Sequence, residues 1–115
     1  MNIKVFTDTE KASNEDIQKM LESHVAYVKL AVDIRENMLA GGGEFHADCE
    51  AALIIRGCKQ EYIWGADWIP DTQELNYEAL INIRPRQKNP STTVLDLSIR
   101  EKIEKVARPI LGNHD

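Results

Sequence analysis

The feature that most constrains this chain is the run GEFHADCEAALI at residues 43–54, entered through Gly41-Gly42-Gly43. Phe45, Ala47, Cys49, Ala51, Leu53 and Ile55 fall in one phase of a two-residue period, and Glu44, His46, Asp48 and Glu50 fall in the other. Alternation of this kind is the mark of a half-buried strand. Just upstream, Val28, Leu30, Val32 and Ile34 alternate in the same way around Lys29, Asp33 and Arg35. The glycines have the backbone freedom to reverse the chain between two such strands. Read so, the run buries its apolar phase and projects an imidazole and two carboxylates from the opposite face.

The remaining segments fit the same plan. Residues 2–6, NIKVF, form a short edge strand, and Ser13 or Asn14 caps a helix whose apolar positions are Ile17, Met20, Leu21 and Val25. A strand starts near Tyr27. Gly57 marks a turn, and a third strand runs from about Lys59 to Ile69, where Pro70 stops it. Tyr77, Ala79, Ile81 and Ile83 alternate with Glu78, Leu80, Asn82 and Arg84 in a further strand closed by Pro85. Asp96, or Ser98 with Glu101 as a capping box, opens a last helix with Ile99, Ile103, Val106 and Ile110 on one face; Pro109 and Gly112 mark its end, and 112–115 read as a frayed tail. The expectation is one α+β domain over 1–115, in the order strand, helix, four-stranded meander, helix. Two helices cover one face of a mostly antiparallel five-stranded sheet, giving two layers.

A chain of 115 residues supports one core. The formal charge of -5 opposes general nucleic-acid binding, and the absence of a long apolar run predicts neither a membrane span nor a secretory leader, so the expected location is the cytoplasm. Cys49 and Cys58 lack metal-knuckle or disulfide spacing and are read as reduced, Cys49 in the core and Cys58 in an exposed turn.

Three groups carry whatever chemistry the chain has. His46, Asp48 and Glu50 share the polar face with Asn82 and Arg84, and His46 and Asp48 with Asp33 are the candidate ligands of a divalent metal; Glu78 is a substitute third ligand and His114 a distal one. Same-face neighbours on a strand are about 6.5–7 Å apart, so all three of His46, Asp48 and Glu50 do not reach one ion. The competing and preferred reading is a ladder of ion pairs with Lys29, Arg35 and Arg84. Arg84 and Arg86, with Lys88, Asn89 and Ser91–Thr93 ahead of the last helix, form either an anion clamp or a solvated basic loop, and Arg100 could steady the same anion. Tyr62, Trp64, Ala66 and Trp68 share a face as pocket wall, dimer contact or core, a choice that strand register leaves open.

Together the segments VKLAVDI, HADCE, WGADWIP and INIRPRQKN, followed by IREKI, resemble a family of short prokaryotic proteins that carries only a domain-of-unknown-function label. The resemblance spans most of residues 28–105. It implies a small single-domain cytoplasmic protein and no assigned activity, so no catalytic role comes with it. The residues then predict a binding module whose polar sheet face, with His46, Asp48, Glu50, Asn82, Arg84, Arg86 and Arg100, holds a small polar or anionic ligand or a divalent ion. Rival readings are a metal-assisted hydrolase on the same face and a homodimer that pairs those faces; whether the chain is an enzyme is left open.

Overall fold

In the computed structural model of the chain, which describes residues 2–113, strand β1 (Lys4–Thr7) leads to helix α1 (Asn14–Met20). Ser13 starts that helix because its hydroxyl accepts from the Asp16 N–H while the Asp16 carboxylate accepts from the Ser13 N–H, both at 3.0 Å. Strand β2 (Val28–Asp33) begins one residue after the expected point. It turns at once into β3 (Met38–Gly41), a hairpin the sequence reading passed over. The turn is built by two side chains rather than by glycine: Asp33 Oδ1 accepts from the N–H groups of Arg35 and Glu36, and Asn37 takes the left-handed conformation at φ 57°.

The run at 43–54 is not a strand. It forms helix α2 (His46–Ile55), which corrects the expectation on which the polar face rested. Ala47, Glu50, Ala51, Ala52 and Leu53 are good helix formers with no β-branched residue among them, and the Asp48 carboxylate reaches back to the Phe45 N–H at 3.1 Å. Cys49 and Leu53, one turn apart, are the buried positions. Gly57, at φ 95°, ends the helix in a Schellman turn in which Gly57 N–H donates to the Ile54 carbonyl and Cys58 N–H to that of Leu53.

After a 3-10 turn at Gln60–Tyr62 come β4 (Ile63–Ile69), the three-residue β5 (Glu74–Asn76) and finally α3 (Leu97–Leu111), which Asp96 caps by accepting from Ser98 N–H at 2.8 Å. The five strands lie in the order β1-β3-β2-β4-β5, every neighbouring pair antiparallel, so the chain has the expected α+β fold. The expected four-strand meander is replaced by two hairpins with α2 between them. Of the predicted frayed tail, His114 and Asp115 lie outside the described residues, while Gly112 donates its N–H to the Arg108 carbonyl at 2.8 Å.

The layers number three, not two. On one face Val28, Leu30, Val32, Leu39, Trp64, Ala66 and Trp68 pack under α1 and α3, whose Met20, Ile103, Val106 and Ile110 are buried against them. Each large side chain so removed from water contributes roughly 1.5–3 kcal/mol. Trp64, Ala66 and Trp68 therefore belong to the core, while Tyr62 is half-buried. On the other face Ala40, Ala31 and Gly65 are register partners across three strands; Ala40 and Ala31 let α2 lie close to the sheet with Cys49 and Leu53 against them, while Gly65 makes room for Ala79 and Ile81. What the alternation marks as an open polar face is thus covered by α2.

Candidate functional site

The segment from Tyr77 to Leu95 builds the most developed site, and it does so without regular strands. It continues the expected alternation as far as Ala79, then a 3-10 turn at Leu80–Asn82 inverts the phase. Asn82 is 0% exposed and Arg84 is buried, whereas Leu80 and Ile83 are 77% and 46% exposed. The polar residues went in because each replaces a missing backbone partner. Asn82 Oδ1 accepts from Gly65 N–H at 2.7 Å, and its Nδ2 donates to the carbonyls of Gly65 at 3.0 Å and Thr92 at 3.1 Å, so one side-chain amide does the work of a neighbouring strand beside β4. The approach is close enough that a Cβ on Gly65 would meet Ala79 Cβ at 2.4 Å. Asn89 acts likewise, donating to the carbonyls of Asn82, Ser91 and Thr93 and accepting from Leu95 N–H.

All three guanidinium nitrogens of Arg84 bind backbone carbonyls. Its Nε donates to the Ile81 carbonyl at 3.0 Å, Nη1 to that of Gln60 at 2.7 Å and Nη2 to that of Ile63; the guanidinium lies over Trp64, 4.6 Å from the ring centre. Burial lowers its pKa and the Glu50 charge opposes that. Glu50, projecting from α2, stands 3.6 Å from Nη2, with its Oε2 buried and accepting no hydrogen bond. Between α2 and the 80–87 segment opens a cleft of about 600 Å³, walled by Leu80, Ile81, Ile83 and Pro85, with Glu50 and Arg84 inside and Arg86 exposed beside them.

A smaller hollow of about 220 Å³, lined by Lys29, Phe45, His46 and Ala47, lies on the far side of Leu80 and Ile81. There His46 Nε2 stands 2.8 Å from Asp67 Oδ1 and 3.2 Å from the Ala66 carbonyl. Sequence reasoning missed Asp67, since its partner was placed on a strand rather than at the start of a helix.

The predicted site residues therefore divide. Glu50, Arg84 and Arg86 come together at the cleft, with Asn82 beneath it as a backbone partner. His46 joins Asp67, Asp48 is held by the Phe45 N–H, and Asp33 sits in the β2–β3 turn, so the three predicted metal ligands are each committed to a different local structure. Among the described residues no three His, Cys, Asp or Glu side chains are grouped to hold a metal ion; His114 lies outside them. Arg100 points elsewhere, donating to the Val94 carbonyl and stacking on Tyr77 at 5.2 Å. Of the guanidinium groups expected at the anion clamp, Arg84 and Arg100 bind backbone carbonyls and aromatic rings, while Arg86 stays exposed at the cleft. The ion-pair ladder survives only as the single contact of Glu50 with Arg84. Lys29 and Arg35 lie instead against the rings of Phe45 and Tyr62.

The family model described as Protein of unknown function (DUF5674) matches residues 6–110. The chain belongs to that family. No curated protein and no solved structure matches the DUF5674 chain. No helix of its described residues is long and apolar enough to cross a membrane.

Proposed function

We propose that this DUF5674 protein is a binding module that takes a small amphipathic ligand into the cleft between α2 and the 80–87 segment. The carrying observation is Glu50, which lines a cavity walled by Leu80, Ile81, Ile83 and Pro85 and whose Oε2 is buried beside Arg84 without accepting a hydrogen bond. A volume of about 600 Å³ is in the range that encloses a small organic molecule. The apolar body of the ligand lies on the aliphatic wall, an amine, amide or hydroxyl donor meets the Glu50 carboxylate, and an acidic substituent meets Arg86. Arg84 contributes charge balance and position for Glu50 rather than a free fork, because each of its three nitrogens already donates to a backbone carbonyl.

The reading is tested by titrating the isotope-labelled chain with fragment-sized hydrophobic amino acids, amines and carboxylates while following backbone amide resonances. Binders should move Glu50, Ile81, Ile83 and Arg84, and should weaken on Ile83→Asp and Glu50→Gln. Fragments that shift only residues away from the cleft, or that bind both variants as tightly as the parent, would refute it.

A further inference from the structure

One strand away from Ile63, whose carbonyl Arg84 binds, Asp33 is fully buried and uses only one carboxylate oxygen for the main chain. Oδ1 takes two backbone N–H groups, Oδ2 takes none, and the Cys58 thiol lies within hydrogen-bonding reach of the carboxylate. Burying an unsatisfied anionic oxygen is costly, and such groups generally have a counterpart. Beside it stands the Cys58 thiol. The Schellman turn at Gly57 folds this residue back against the sheet, so it is buried and not the exposed turn residue the sequence suggests. Its S–H points at Met38 Sδ, 3.8 Å away, and Met38 is the register partner of Asp33 across the β2–β3 pair. A hollow of about 200 Å³, lined by Asp33, Arg35, Glu36, Gly57, Lys59 and Tyr62, opens this corner to solvent on either side of Cys58 in the chain.

We propose that Cys58, Met38 and Asp33 form a binding site for a soft monovalent cation, copper(I). A thiolate with a thioether is a soft ligand pair that favours copper(I) over hard divalent ions. Two sulfurs 3.8 Å apart subtend an angle of about 110° at an ion lying about 2.3 Å from each, the usual metal–sulfur length. That angle belongs to a trigonal or tetrahedral site and leaves room for a third ligand, for which the Asp33 carboxylate beside Cys58 is the neighbouring candidate. The exchange balances without redox change: the S–H bond breaks, a copper–sulfur bond forms, and the proton leaves for solvent. Because the ligand is the thiolate, binding releases the thiol proton and strengthens as pH rises.

The test is anaerobic titration of the full chain with copper(I) in competition with a chromophoric copper(I) chelator, together with X-ray absorption at the copper edge. One equivalent should bind with two sulfur neighbours. Met38→Leu, which conserves volume, should weaken binding at least tenfold; Cys58→Ser should abolish it; Cys49→Ser, removing the other thiol, should leave it unchanged. Circular dichroism of each variant separates lost binding from lost folding, and Met38→Leu carries the test if Cys58→Ser fails to fold. The assignment is overturned if no copper(I) is held against the chelator, if Met38→Leu binds like the parent, or if the ion has only oxygen and nitrogen neighbours.

Discussion

Replacing Asn82 with alanine should cost this protein a large part of its stability without touching its apolar core. The side chain makes three hydrogen bonds to main-chain groups, two with Gly65 and one with Thr92, and it is 0% exposed, so water does not take over when it is removed. At about 1 kcal/mol net per neutral hydrogen bond, the loss is about 3 kcal/mol, with more added where a buried N–H or carbonyl is left unpaired. Against a total of about 5–15 kcal/mol for an ordinary domain, that is a severe change. It corresponds to a fall in Tm of about 12 °C at roughly 4 °C per kcal/mol for a chain near this size. Urea unfolding at neutral pH measures it as a lower midpoint at unchanged slope. Hydrogen exchange locates it, because the Gly65 amide should lose protection while the Ala31 amide keeps it. Asn82→Asp is the companion variant: it retains the shape and the acceptor but turns a carboxylate oxygen towards the Gly65 and Thr92 carbonyls, and should do no better than alanine. A loss below about 1 kcal/mol for Asn82→Ala would show that the amide does not serve as the sheet's missing neighbour.

Arg84→Met should destabilise by about 3–5 kcal/mol, because it removes the guanidinium that binds three carbonyls and leaves Glu50 buried without its counter-charge. Adding Glu50→Gln should recover part of that loss in urea unfolding, and a double variant no more stable than Arg84→Met would break the proposed coupling. Burial, with smaller effects of nearby charges, pushes the Cys49 thiol up to about 11 and that of Cys58 to about 12. Ellman's reagent at pH 8 should therefore find both thiols slow in the native protein and fast in denaturant, and rapid reaction of either native thiol would contradict the burial. Raised folded-state values mean that this contribution to stability is complete below the unfolded thiol pKa of about 8.5 and is lost as pH rises towards the folded values. Thermal unfolding from pH 7.5 to 10 should show the decline.

Much of the fold is written in local signals. Ser13, Val28, Pro70 and Asp96 punctuate the chain where helices and strands begin or end, and the stripe of Ile103, Val106 and Ile110 fixes one helix face. The run at 43–54 misleads because alanine fits both periods: its apolar residues alternate, yet Cys49 and Leu53 are also a helical pair. The deciding signals were the density of helix formers and the acidic residue three positions after Phe45, a capping relation that a strand does not need. The β2–β3 turn went unseen because it relies on Asp33 and Asn37 rather than glycine or proline. Most of the candidate site was illegible for a tertiary reason. Whether Asn82 and Arg84 face in or out depends on unpaired main-chain groups of residues 60–65, which no local pattern at 77–84 records. Glu50, Arg84 and Arg86 do meet, but from a helix and a looped segment rather than across strands.

The neighbouring alanines Ala40 and Ala31 set the height at which α2 rides above the sheet. A bulkier residue there, as in Ala31→Val, acts as a wedge under Cys49 and Leu53. Because Glu50 follows Cys49 on the same rigid helix, lifting the helix carries its carboxylate away from Arg84, so the width of the cleft is governed from below by residues that never touch its contents.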